Sequence, residues 1–371
     1  MTEIGEYAFY NCTSLTTVNI PSSVTEIGRA AFEGCESLTS VSIPSSVTEI
    51  RSSTFYGCTS LTNVNIPSSV TEIGDWAFYY CKSLTTVNIP SSVTEIGAET
   101  FKGCTSLTSV DIPSSITYIG GGIFEGCTSL TSVDIPSGVT GIGSAFRDCT
   151  SLTSVNIPSS VTEIGDEAFY GCTSLTTVNI PSSVTGIGNE VFYNCTSLTS
   201  VNIPSNVTGI GNEVFYNCTS LTSVNIPSSV TEIGEYAFHY CKSLTTVNIP
   251  SSVTKIGEDA FSYCIGLKSI YVFAKDVPST GAGAFFGCDL KECTLYVPYG
   301  TYDAYLVSSF GYYFENIVEF DAITSIHNMV ATLEAQETAR YATNGQRLTA
   351  PINGINLVKY SDGTVKKLFV K

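Results

Sequence analysis

The chain has 371 residues, 43% of them hydrophobic, 11% aromatic and only 13% charged, the makeup of an ordered protein with a large core and not of a disordered tract. Its net charge of −17 is uneven: residues 322–371 hold six basic and three acidic side chains, which leaves residues 1–321 at −20. A surface of that sign repels nucleic acid and anionic lipid, and no run of about 18 apolar residues is present to span a bilayer.

The first nine residues, MTEIGEYAF, match VTEIGEYAF at 230–238, with Met1 standing where the later stretch has valine. The chain therefore reads as starting inside a repeat, which suggests a truncated parent, and a missing leader says little about destination. Cysteine gives the period: it falls at 12, 35, 58, 81, 104, 127, 149, 172, 195, 218, 241 and 264, an even spacing with one step shorter by a residue, and Cys288 follows one residue late. The working unit is CTSLTSVNIPSSVTEIGxxAFYG.

Three segments are expected in each unit. In LTSVNIP, Val201 and Ile203 share one face at strand period, and Pro204 cannot donate to a ladder, so the strand ends there. In VTEIG, Val161 and Ile164 form a second short apolar element, and Gly165 supplies backbone freedom for a turn. In the third segment Ile164, Ala168, Phe169 and Cys172 lie at i, i+4, i+5 and i+8, which predicts a helical turn with one apolar face. Three chain directions in so short a unit make one coil of a repeat solenoid, mainly β with short helical turns. One coil buries too little to offset the entropy of ordering it, so the coils must stack, about twelve or thirteen of them. The short unit loses its residue between Gly143 and Ala145, in the turn before Phe146, and keeps its strand.

These residues resemble a known family. The pattern LxxVxIPxxVxxIGxxAFxxC, over residues 1–288, looks like the leucine-rich repeats of BspA-like surface proteins of Bacteroidetes and some protozoan parasites. The resemblance implies a right-handed leucine-rich-repeat stack with a parallel sheet on one face. It also implies a secreted or cell-surface protein that adheres to host extracellular matrix or cell-surface proteins, with no nucleic acid partner. Residues 1–270 are read as the solenoid, 271–321 as the last coil and an aromatic-rich C-terminal cap, and 322–371 as a linker and small β tail. In that tail, runs 355–360 and 365–370 flank Ser361-Asp362-Gly363-Thr364, a hairpin signal. The sequence ARYATNGQRLTAPINGINLVKYSDGTVKKLFVK is similar to the sorting domains of type IX secretion, which implies export and surface attachment or release.

Sites are sparse in this reading. Thirteen of the fourteen cysteines share one position per coil, about 4.8 Å apart in a stack and farther than the ~3.8 Å a disulfide prefers between Cβ atoms, so free buried thiols are expected. Cys293 stands outside that column and is the one to watch for pairing or reactivity. His239 and His327 have no catalytic partner at a telling spacing, and the recurring Glu26, Glu49, Glu72, Glu95, Glu163 and Glu232 read as a solvated edge in an exposed turn. No catalytic residue, cofactor or metal site is expected, and the chain is taken as a monomer. The Asn-x-Thr sequons at Asn11, Asn194, Asn206 and Asn217 read as by-products of the repeat. Binding is assigned to outward columns on the strands. One is Thr62, Thr85, Thr108, Thr131, Thr153, Thr176 and Thr199; beside it stand Asn65, Asn88, Asp111, Asp134, Asn156, Asn179 and Asn202. The rival role is a rigid surface spacer with no ligand.

Overall fold

The constant period returns the chain to the same register with every coil. The computed structural model describes residues 1–320 and, after them, the strands Glu337–Ala342, Arg347–Leu348, Gly354–Tyr360 and Val365–Val370. The chain divides into two units, Met1–Val318 and Glu319–Lys371. The first is a β-solenoid of about 14 turns with parallel sheets and very little helix.

Each coil opens with a strand such as Ser154–Asn156, which buries Val155 and exposes the residues on either side. It pairs in parallel with the next coil as Ser154↔Thr177, Val155↔Val178 and Asn156↔Asn179. A slip of one residue would turn every valine to solvent, so the register is fixed by burial. Eleven strands, from Thr86–Asn88 to Ile317–Phe320, follow one another in chain order in a single sheet.

The glutamates do not lie in a turn. Glu163–Ile164 is a two-residue strand paired with Gly141–Ile142 on one side and Gly186–Ile187 on the other, with Ile164 buried and Glu163 exposed. Equivalent pairs recur along the stack as a second, narrow parallel ladder. Two residues per coil suffice, because the neighbouring coils supply the hydrogen bonds that an isolated strand of this length would lack.

The expected helical turn is absent from the coils. Residues 165–172 form a run of turns in which the amides alternate between a bond within the coil and a bond to the next coil. Tyr170 and Cys172 donate back to Glu167 O and Phe169 O (3.1 and 3.2 Å), whereas Glu167, Phe169 and Gly171 donate forward to Asn189 O, Val191 O and Tyr193 O (2.9, 3.0 and 2.8 Å). The reason is conformational: Glu167 and Gly171 sit at φ 57° and 69°, and a left-handed residue every four breaks a right-handed helix. The short coil lacks one of these residues, and there Ala145 N bonds to Gly143 O instead (2.7 Å).

Inside the stack each coil contributes to continuous columns. Phenylalanine rings run from Phe9 to Phe285 with parallel neighbours, for example Phe146–Phe169 at 5.7 Å and Phe169–Phe192 at 5.8 Å. The thiols form a second column in which Cys172 Sγ donates to Phe146 O and Cys195 Sγ to Phe169 O, both at 3.2 Å. All fourteen cysteines are free, and only Cys12 and Cys288 are partly exposed. Cys293 is fully buried, and burial pushes its thiol up to about 11. Treating the native protein with a maleimide at neutral pH is expected to label few thiols quickly, and all fourteen after unfolding. Rapid native labelling of Cys172 or Cys195 would contradict this packing.

Glycine at the end of the second ladder serves a different purpose from the one expected. A Cβ on Gly188 would stand 2.5 Å from Asp166 N and 2.6 Å from Gly165 C. Close approach of successive coils, not an unusual turn, excludes a side chain there. Gly165, stacked over the short coil, has more room, with nothing nearer than 3.4 Å.

The repeat ends in a cap. The strand Thr294–Pro298 is followed by α1 (Tyr302–Leu306) and α2 (Ser309–Tyr313). Ser308 Oγ accepts from Phe310 N at 3.2 Å and so caps α2. Tyr305, Phe310 and Phe314 are buried; Phe310 and Phe314 close over Phe285 at 5.8 and 5.2 Å, and the 73° tilt of Phe314 ends the parallel ring stack. Tyr305 keeps its hydroxyl bonded to Ala274 O at 2.7 Å. In the second unit four strands form an antiparallel sheet, and Gly354–Tyr360 pairs with Val365–Val370 as the hairpin signal requires. The strands Glu337–Ala342 and Arg347–Leu348 were not anticipated. The connecting residues 361–364, the linker 322–336 with His327, and the Asn344-Gly345-Gln346 turn lie outside the described residues.

Candidate functional site

The predicted columns all reach the surface. Thr62, Thr85, Thr108, Thr131, Thr153, Thr176 and Thr199 are exposed, as are Asn65, Asn88, Asp111, Asp134, Asn156, Asn179 and Asn202. The two sets differ in what their polar atoms do.

The hydroxyls of five of these seven threonines tie coil to coil. Thr62 Oγ1 donates to Thr39 O (3.1 Å), Thr108 to Thr85 O (3.2 Å), Thr153 to Thr131 O (3.2 Å), Thr176 to Thr153 O (3.3 Å) and Thr199 to Thr176 O (3.2 Å). A second threonine column, before the glutamate ladder, does the same, with Thr162 donating to Thr140 O at 3.2 Å and Thr185 to Thr162 O at 3.4 Å. Serine repeats the device at half-buried positions: Ser183 Oγ donates to Val161 O at 2.6 Å and Ser252 to Val230 O at 2.6 Å. Each hydroxyl keeps lone pairs for a partner, but its proton is already committed. Thr176→Val is expected to lower stability by roughly 0.5–1 kcal/mol, a net hydrogen bond at an exposed position, measured by chemical denaturation. No loss would show that the hydroxyl is not a coil-to-coil tie.

The Asn/Asp column carries the uncommitted groups. Its members stand directly opposite one another in the parallel register, Asn88↔Asp111↔Asp134↔Asn156↔Asn179↔Asn202. Amides and carboxylates thus share one straight row that both donates and accepts. Between it and the threonines runs a third exposed column, outside the two to which binding was assigned: Asn63, Thr86, Ser109, Ser132, Ser154, Thr177 and Ser200. The signal was present, because the residues on both sides of a buried valine must point outward. At the C-terminal end the row changes character: Asn248 faces Tyr271, which faces Tyr296, the two rings stacked 4.3 Å apart.

The glutamate ladder is an electrostatic strain. Glu49, Glu72 and Glu95 are in register, and burial, then Glu49, Glu95 and Asp75, raise the Glu72 carboxyl above its ordinary range. Arg51 relieves one end, 2.6 Å from Glu26 and 3.6 Å from Glu49. A carboxyl with a raised folded pKa favours the protonated native state, so its contribution is present at acid pH and is lost as pH rises through the folded value. Glu72→Gln is therefore expected to raise the thermal midpoint at pH 7 and to flatten the pH dependence just above the normal carboxylate range. An unchanged midpoint would argue against repulsion along the ladder.

Elsewhere little gathers. His239 is buried, with Nδ1 hydrogen-bonded to Ser262 Oγ and its ring stacked 4.7 Å from Tyr216; burial lowers its pKa. Among the described residues no three His, Cys, Asp or Glu side chains are placed to hold a metal ion, and no helix is long and apolar enough to cross a membrane.

Comparison with known proteins agrees with this architecture. A crystal structure of a leucine-rich repeat protein from Bacteroides ovatus is 32% identical and covers 86% of this chain and 88% of its own, with a TM-score of 0.70. A leucine-rich cell surface protein from Faecalibacterium prausnitzii is 36% identical over 73% of this chain and 83% of its own, with a TM-score of 0.52. The pneumococcal vaccine antigen PcpA shares the fold at 16% identity, with a TM-score of 0.51 and coverage of 86% and 85%. No curated protein matches the chain. The model for the BspA type leucine-rich repeat region matches six copies, over residues 1–107, 72–199 and 185–306, and the chain belongs to that family.

Proposed function

We propose that this protein is a non-enzymatic binding module of a bacterial surface, an adhesin that holds host matrix or cell-surface proteins along its long parallel sheet. The observation that carries the reading is the uncommitted Asn/Asp row, set in register with the exposed Ser/Thr column beside it. Such a row offers many weak, equivalent hydrogen bonds, and an extended protein partner gains strength by engaging several coils at once. The Faecalibacterium relative, described as a cell surface protein, supports the location. The tail's likeness to type IX sorting domains supports export by that route. Biolayer measurements against fibronectin, fibrinogen and whole cells are expected to show saturable binding. Replacing Asn156, Asn179 and Asn202 with lysine should weaken it at least tenfold.

One observation favours the spacer reading. The threonine protons are already used between coils, so part of the polar column serves to stiffen the stack. Absence of binding at micromolar concentrations, with an intact fold, would leave the stalk as the function.

A further inference from the structure

The residue after each core phenylalanine reaches the surface in most coils, with His239 and Ser262 buried, and its identity varies from coil to coil. Tyrosine fills the position in several consecutive coils, and the rings stack in pairs: Tyr170–Tyr193 at 4.6 Å and 4°, Tyr193–Tyr216 at 4.5 Å and 5°, Tyr56–Tyr79 at 4.7 Å and 10°. The guanidinium of Arg147 covers the first face of Tyr170 at 4.4 Å, and His239 covers the last face of Tyr216. With their faces covered by one another, these rings offer a sugar or base only edges, which rules against a stacking platform. They are half-buried. Burial and the two flanking phenols push Tyr193 up to about 12, so the row is neutral at physiological pH.

We propose that the row Tyr170–Tyr193–Tyr216 is an oxidative cross-linking site, at which a haem peroxidase with hydrogen peroxide joins consecutive coils through dityrosine. Each of two phenols gives up one hydrogen atom, a proton and an electron, to the oxidised haem. The two radicals then couple through the ring carbons ortho to their oxygens, forming one C–C bond. Each coupled carbon loses its proton, its phenolic oxygen regains one, and both rings become aromatic again. The protein has lost two hydrogens in all, and one hydrogen peroxide has become two waters. Coupling within the chain is favoured over coupling between chains, because a neighbour held 4.5 Å away is at an effective concentration that no second molecule reaches. Each link would span one full repeat of the chain and tie one coil to the next.

The test uses the full chain at low concentration with a haem peroxidase and hydrogen peroxide, followed by dityrosine emission and mass mapping of proteolytic peptides. The expected products are peptides joining Tyr170 to Tyr193 and Tyr193 to Tyr216, two hydrogens lighter than their sum, from a chain that still runs as a monomer. Tyr193→Phe, which keeps the ring stack, should remove both products and spare the Tyr56–Tyr79 link; Tyr216→Phe should remove only the second. The proposal is overturned if the exposed Tyr299 and Tyr312 are consumed in links between molecules while the row stays intact. It is equally overturned if the urea-unfolded chain gives the same links in the same yield.

Discussion

Phe169→Ala is expected to destabilise the protein by about 3–5 kcal/mol, the range for truncating a fully buried aromatic ring. The ring has no exposed surface and packs between Phe146 and Phe192, so its loss leaves a cavity bordered by both neighbouring coils. In a molecule where each coil touches only the next, such a defect weakens two interfaces at once. Denaturant unfolding of the variant should therefore separate into two transitions, one for each side of the break. Phe9→Ala is the control: that ring is only partly buried and stacks on Phe32 alone, so its cost should be clearly smaller. Equal losses at Phe9 and Phe169 would contradict the stacked columns as the source of stability.

The second large effect comes from a single methyl group. Gly188→Ala would place Cβ 2.5 Å from Asp166 N, a distance that backbone must move to relieve, at about 1–3 kcal/mol. Gly165→Ala meets nothing nearer than 3.4 Å and should be neutral or stabilising by about 0.4–1 kcal/mol, since alanine restricts the unfolded chain. The contrast follows from the one missing residue in the coil beneath Gly165, which has left space there. Arg51 occupies the equivalent position of one coil, and its side chain leaves the stack for Glu26 and Glu49. Thermal midpoints of the two alanine variants decide the matter, and a stable Gly188→Ala protein would sink the close-approach explanation.

The solenoid and its period were legible because burial acts on each position separately. Val155, Val178 and Val201 meet the same surroundings, so the same residue recurs. The third segment misled because a run of turns can bury Ile164, Ala168, Phe169 and Cys172 on one side as a helix does. A clue lay in Gly171, Asn194, Asn217 and Asp148, residue types that tolerate positive φ, at one position of successive coils; Tyr80, Tyr240 and Tyr263 at the same position, also left-handed, hid it. The candidate face was half legible. Its columns were visible as repeated small polar residues, but nothing in a lone threonine tells that Oγ1 will lie within bonding distance of the matching carbonyl one coil earlier. That distance belongs to the stack and not to any one coil.

Bonds between coils, and not interactions within one, hold this protein together. Native-state hydrogen exchange tests this directly. The amides of Phe78, Phe169 and Phe215, each donating to a carbonyl in the following coil (2.9, 3.0 and 2.8 Å), should exchange slowly and with one common opening free energy. Amides near Phe9, Leu15 and Val18, whose side chains are only partly buried, should exchange first, with protection rising toward the middle of the stack. Protection that differs sharply between adjacent central coils, each opening on its own, would show instead that the coils are held from within.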